Sequence, residues 1–149
     1  MKDLEWKSGY LLGIPEVDLQ HKRIFACFAT IAEEGLNKQD RWDADSSIVQ
    51  LLGLLKDHFA LEESLMRILG YPELDRHIEE HRQFNAEIYD LAQKSLRTKG
   101  NVSREMIKVF QKWQREHIMK SDRRYADYFL DSAPESAKRP LDRILPRAA

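Results

Sequence analysis

His77-Ile78-Glu79-Glu80-His81 is the stretch around which the chain is organised. Residues four apart on a helix lie one turn above each other on the same face, with Cβ atoms about 5–6 Å apart. Two imidazoles placed in this way can turn their nitrogens to one point, and such a point suits a metal ion. An H-x3-H pair alone is more often a surface pair, or two separately satisfied core histidines. The weight therefore falls on the other three of the chain's five histidines, His21, His58 and His117. Either a helical fold brings them to the same level or it does not.

Working outward from the pair, the apolar spacing is helical throughout. Upstream, Ile48, Leu51, Leu52, Leu55, Phe59, Met66 and Leu69 predict a helix over about 44–70, starting near Asp43 or Asp45 and stopped by Gly70-Tyr71-Pro72. Gly53, inside it, costs about 1 kcal/mol relative to Ala and leaves room for close helix contact. The pair itself opens a helix over about 73–99, whose inward line is His77, His81, Phe84, Ile88 and Leu91. Ser103 reads as the cap of a helix over about 103–131, with Met106, Phe110, Trp113, His117, Tyr125 and Phe129 facing inward. Ahead of these, Ile24, Phe25, Phe28, Ile31 and Ala32 predict a first helix over about 18–35, capped by Asp18 and ended at Gly35. Residues 1–17, with Trp6 and Tyr10, form an irregular arm that needs a bundle surface to pack on. Residues 132–149, with Pro134, Pro140 and Pro146, form a short tail. The expectation is all-α: one domain over 1–131, an up-down-up-down antiparallel four-helix bundle.

That topology makes a claim about depth. The start of helix one, the end of helix two, the start of helix three and the end of helix four share one end of the bundle. At 1.5 Å per residue, all five histidines fall toward that half.

Composition limits the alternatives. The chain has 149 residues, 42% hydrophobic and 33% charged, which suits one soluble helical domain rather than a disordered segment. A net charge of −1 gives no reason to expect nucleic acid or an anionic membrane as partner. Residues 104–149 carry eleven Lys and Arg against seven Asp and Glu, which reads as a solvated face. Cys27 is the only cysteine, so an internal disulfide is impossible. With no apolar run of membrane length and no signal-peptide core, a reducing, cytoplasmic setting is expected.

Five converging imidazoles make no sense as a packing device, because each ring nitrogen would need its own partner. Acidic residues should therefore accompany them. Glu62 lies four after His58, on the same face. Asp122 lies five after His117, roughly 140° past it on an α-helix but within reach of a metal for a short side chain. Glu79 and Glu80 lie off the histidine stripe and Glu63 is turned away from His58, so all three read as solvent-facing charge. Five nitrogens and two carboxylates exceed one tetrahedral site. They suit two ions sharing both carboxylates and a solvent-derived oxygen. His77, His81 and His117 then complete one ion at six ligands, while His21 and His58 leave the other at five. Imidazole-rich sites with carboxylate bridges suit first-row metals such as iron. An open position on a redox pair suits a small molecule such as dioxygen.

The chain resembles the hemerythrins, and the bacterial ones in particular, over about residues 6–130. The matching segments are Trp6 to Tyr10, Gly13-Ile14-Pro15 with Asp18-Leu19-Gln20-His21-Lys22, and His58 to Glu63 with Met66. Tyr71-Pro72 with His77 and His81, then Trp113 with His117-Ile118 and Asp122, complete the set. Such bundles are the known fold of that family, so the resemblance and the bundle expectation are not independent. The resemblance implies reversible dioxygen binding, for carriage, storage or delivery, at two iron ions (Fe2+/Fe3+) with an oxo or hydroxo bridge. It implies His77, His81 and His117 on the full ion, His21 and His58 on the ion that takes dioxygen end-on as hydroperoxide, and Glu62 and Asp122 bridging. It further implies a dry oxygen pocket at Trp113 and Ile118. Gln114 departs from the apolar residue usual at its place, and it either enters the pocket or turns outward.

Two other functional classes stand beside carriage. One is a di-iron enzyme acting on peroxide or nitric oxide. The other is an oxygen or redox sensor acting through a separate oxygen-consuming or signalling partner. No histidine here has Glu three residues before it, against the Glu-x-x-His pattern of ferritin-like oxidases. The His-Glu-x-x-His string of zinc hydrolases is also absent. Binding rather than turnover is therefore expected.

Overall fold

The computed structural model describes residues 4–37, 45–98 and 101–132. Three helices, α1 (Pro15–Asn37), α2 (Asp45–Leu69) and α3 (Leu74–Thr98), precede a fourth rod. That rod runs without a break through α4 (Ser103–Trp113), a π-helical stretch (Gln114–Asp122) and α5 (Arg123–Ser132). Its junction residues Gln114 and Arg123 both keep right-handed helical dihedrals. The first helix packs on α2 and α4, and α3 packs on the same two, which closes an all-α four-helix bundle. No strand occurs among the described residues, and no helix among them is long and apolar enough to cross a membrane.

The core forms as two apolar clusters. One holds Ile24, Phe25, Phe28, Leu51, Leu55, Phe84, Ile88, Met106 and Phe110, with Ile118 at its edge. The other holds Val17, Leu65, Met66, Tyr71, Tyr125 and Phe129. On every helix the positions separating the two clusters are the histidines and their carboxylates. A buried polar band therefore crosses the bundle between two dry layers.

Several local expectations change. The first helix begins at Pro15, and Asp18 sits inside its first turn rather than capping it. The buried Asp18 carboxylate instead accepts the backbone N–H groups of Leu12 (2.8 Å) and Gly13 (3.2 Å), tying the arm to the helix. Gly35 does not end α1. A Cβ there would collide with the Ser103 side chain, so the glycine serves close approach to the fourth rod. Nothing lies within 4 Å of a Cβ built on Gly53, so the close contact expected there is not made. Ser103 is the first residue of α4 rather than its cap, and Asn101 Oδ1 accepts its N–H at 2.9 Å. In α3 the fifth inward position is Ala92, with Leu91 only half-buried.

Gly70 does terminate α2. It takes a positive φ of 62°, its N–H bonds Arg67 O, and the Tyr71 N–H bonds Met66 O. This is a Schellman close, with Tyr71 packed in the same cluster as Met66. The arm lies on the bundle, with the Trp6 and Tyr10 rings 5.1 and 4.9 Å from that of Phe25. Arg123 clamps it by donating to Gly9 O and Leu11 O. Asp43, Lys99, Gly100 and the 133–149 tail lie outside the described residues.

Candidate metal centre

The polar band consists of the seven residues singled out in the sequence: His21 on α1, His58 and Glu62 on α2, His77 and His81 on α3, and His117 and Asp122 on the π-helical stretch. All seven are at most 3% exposed. The π-helical stretch solves a problem of alignment. On an α-helix, Asp122 would point well away from His117. A π-helix repeats its hydrogen bonds at i→i+5, so residues five apart come onto one face, and such stretches cluster at functional sites. His117 Nε2 and Asp122 Oδ1 are 2.9 Å apart.

Two ligand-like groups overlap in this band. Glu62, His77, His81, His117 and Asp122 form one, and His21, His58, Glu62 and Asp122 the other, with the donor atoms of each within 4.8 Å of one another. Each carboxylate turns one oxygen to each group. Glu62 Oε2 faces His77 (3.7 Å) and His81 (3.1 Å), while Oε1 faces His21 (3.9 Å) and His58 (3.4 Å). Asp122 Oδ1 faces His77 (3.0 Å) and His117 (2.9 Å), while Oδ2 faces His21 (3.3 Å).

The outward nitrogens reveal residues that sequence reasoning set aside. Glu63 Oε1 lies 3.0 Å from His81 Nδ1, and Glu80 Oε2 lies 2.6 Å from His117 Nδ1. Neither is solvent-facing charge: each accepts from an imidazole and fixes the tautomer that points Nε2 into the centre. Gln20 Oε1 does the same for His58 at 2.9 Å. Periodicity could not flag them, because each belongs to a flank of its helix and reaches sideways to a histidine on a neighbouring one. Glu79 is exposed and pairs with Arg82. Tyr125, legible in the sequence only as core, donates its hydroxyl to Glu62 Oε1 at 2.9 Å.

The electrostatics describe a centre that calls for cations. Burial opposes a charge on His77, yet the Asp122 and Glu62 carboxylates outweigh it and raise its pKa to about 10. His117 is raised in the same way, with Asp122 outweighing burial. Burial dominates at His58 and lowers it to about 3 despite Glu62. Glu62 and Asp122 resist burial because the surrounding imidazoles hold both well below the carboxylate range. Protons on imidazole thus balance charge that metal ions could balance.

The donor set also fits ions by its unsatisfied atoms. Among the described residues, both nitrogens of His21, Nε2 of His77, His81 and His117, Glu62 Oε2 and both Asp122 oxygens are buried without hydrogen-bonding geometry to any partner. An unmade buried hydrogen bond costs about 1–3 kcal/mol. A cluster of eight such atoms would burden any fold unless cations fill it.

The expected pocket residues divide. Ile118 is buried at the edge of the first apolar cluster. Trp113 stacks on His117 (3.6 Å between ring centres) and on Phe84 (4.2 Å), against the three-histidine group. Gln114 is buried rather than turned outward, and its amide donates to the Tyr10 hydroxyl of the arm.

Comparison with known proteins points to one family. A family model described as "Hemerythrin HHE cation binding domain" matches residues 12–129. The chain is 29% identical over 127 residues to the bacteriohemerythrin of Clostridium acetobutylicum, covering 82% of this chain and 98% of that one. It is 30% identical over 126 residues to the bacteriohemerythrin of Stenotrophomonas maltophilia, covering 83% and 80%. It is 25% identical over 121 residues to the myohemerythrin of Theromyzon tessulatum, covering 81% and 89%.

Proposed function

We propose that this chain, which belongs to the hemerythrin family, binds dioxygen reversibly at two iron ions held in the polar band. His77, His81 and His117 would hold one ion, His21 and His58 the other, with Glu62 and Asp122 shared. The observation that carries this reading is the division of carboxylate oxygens, one from each acid toward each histidine group. Three nitrogens on one side and two on the other leave the His21/His58 ion short of a ligand, and dioxygen would enter there. Iron, when bound, supplies the reversible electron exchange with dioxygen that no side chain here supplies.

The chain's own residues hold, orient and keep dry. Glu63, Glu80 and Gln20 lock three imidazoles in place. The apolar layers on either side exclude water, which strengthens charge interactions inside and limits loss of electrons to solvent. Ile118 and the edge of the first cluster would line the approach to the open side. Delivery to a separate oxygen-using or signalling protein, in a reducing compartment, belongs to the same proposal.

The test is a count of iron per chain, followed by anaerobic reduction and repeated cycles of air and its removal under visible absorption. Two irons and a band that comes and goes support reversible binding. Immediate, irreversible oxidation or steady consumption of dioxygen would refute it.

A further inference from the structure

Tyr125 is fully buried, and its hydroxyl bonds the Glu62 oxygen on the two-histidine side. Its ring stands edge-on to His77, with centres 5.4 Å apart. The Tyr71 ring follows at 6.4 Å, and Tyr128 lies 5.3 Å beyond that. Tyr71 is 8% exposed and Tyr128 is half-buried, so three phenols lead outward from the centre in two short steps. The Tyr71 hydroxyl also has an acceptor, Glu73 Oε2 at 3.2 Å. Packing alone does not ask for this: phenylalanine would fill the same volume without burying a hydroxyl that needs a partner.

We propose that Tyr125, Tyr71 and Tyr128 form an electron path through which the centre draws reducing equivalents from the surface when hydrogen peroxide is the oxidant. The inference rests on the di-iron reading above. One hydrogen peroxide takes two electrons and two protons and leaves as two waters. The electrons come one at a time from phenols. While a ring is oxidised its proton shifts within its own hydrogen bond, Tyr125's toward Glu62 and Tyr71's toward Glu73, and it returns when the ring is refilled. The two protons that hydrogen peroxide takes are thus matched by the two that the reductant releases. Each phenoxyl is refilled by the ring outside it, and Tyr128 is refilled by a small reductant such as ascorbate. In sum, one hydrogen peroxide and one ascorbate give two waters and one dehydroascorbate.

A phenol or indole gives up an electron far more easily when its proton has an acceptor within hydrogen-bond reach. That consideration favours the tyrosines over Trp113, although Trp113 stacks directly on His117. Among the described residues nothing accepts from the Trp113 indole, whereas Tyr125 and Tyr71 each donate to a carboxylate.

The test uses the full chain loaded with iron in the oxidised, ferric form and mixed with excess hydrogen peroxide, then frozen for electron paramagnetic resonance. Wild type should give an organic radical with tyrosyl hyperfine structure, and mass spectrometry should find oxidation at Tyr128. Tyr125→Phe should abolish the radical. Tyr71→Phe should keep the radical on Tyr125 and lose the Tyr128 product, which separates a path from a hydrogen bond that merely positions Glu62. An undiminished radical in Tyr125→Phe, or a tryptophan-type spectrum, overturns the path. Iron content and the reversible visible band are measured on the same samples. Two irons and a reversible band without any radical overturn the path alone, whereas their absence overturns the di-iron reading and the path with it.

Discussion

Glu80→Gln tests the outer support of the centre most sharply. Glu80 Oε2 sits 2.6 Å from His117 Nδ1. Burial works against its charge, but the hydrogen bonds from His117 and Ser121 prevail and lower its pKa to about 2. Glutamine keeps an oxygen that can accept from Nδ1 and removes only the charge. Replacing the outer partner of a metal-bound histidine weakens metal binding by about 10–100-fold. Glu80 is 26% exposed at its side chain and also meets Arg76 at 3.5 Å, so part of its charge is already screened. The lower end follows: about tenfold, or about 1.4 kcal/mol. Glu80→Leu removes the acceptor as well and should add about 1–3 kcal/mol for the buried N–H left without a partner. The assay is competition for iron by a chelator of known affinity at neutral pH, with folding checked by circular dichroism. Glu80 touches only the three-histidine group, so the loosening should fall on one ion of two. A folded Glu80→Gln that holds both ions as wild type does, or loosens both by the same factor relative to wild type, would refute the reasoning.

Other outcomes follow from the same geometry. With the His77 pKa near 10, that imidazole is protonated at neutral pH in the metal-free chain, so loading metal should release protons into weak buffer; a pH-stat that records none contradicts this. Stability from His77 in the metal-free protein is fully present below about pH 6.5 and lost as pH rises through about 10, whereas His58, lowered to about 3, withdraws stability as pH falls from 6.5 toward 3. Denaturant midpoints across pH should therefore fall on both flanks. Gln114→Leu should slow oxidation to the ferric form, and Tyr10→Phe, which frees the Gln114 amide, should speed it; equal rates in the three proteins would sink that account. Gly35→Ala sets a methyl against Ser103 Cβ at 2.5 Å. Overpacking of about 1–3 kcal/mol should exceed the helix-propensity gain of about 1 kcal/mol, lowering the melting temperature.

What the sequence made legible was whatever repeats along a single helix. The period of Phe84 and Ile88, or of Met106 and Phe110, reports which face is inside, and the histidines lie on those faces. The residues missed are those whose role crosses between helices. Glu63 and Glu80 lie off their own helix's stripe, so periodicity assigns them to solvent, yet each reaches a histidine on a neighbouring rod. The glycines misled for a related reason. Gly35 reads as a stop by residue type, but its need arises from Ser103, far away in the chain. Asp18 fails as a cap because Pro15 supplies the helix start and the carboxylate is taken by the arm. The π-helical stretch was illegible outright, since spacing at five residues looks like misalignment until the backbone itself widens.

The outer partners also give the centre a direction. On the three-histidine side, His81 and His117 lean on carboxylates. On the other side, His58 leans on the neutral amide of Gln20, and the buried Nδ1 of His21 has no described partner. A carboxylate acceptor makes an imidazole a stronger donor to a cation than an amide does, and a ring with no acceptor is weaker still. The side with fewer histidines is therefore also the side with the weaker ones, and on the proposed assignment both deficits would fall on the same ion. An ion held by fewer and less basic donors keeps more of its appetite for an outside ligand and is the easier of the two to remove. Stepwise chelation should empty the His21/His58 side first. The asymmetry that would open a place for dioxygen is thus built twice, once in the count of histidines and again in what stands behind them.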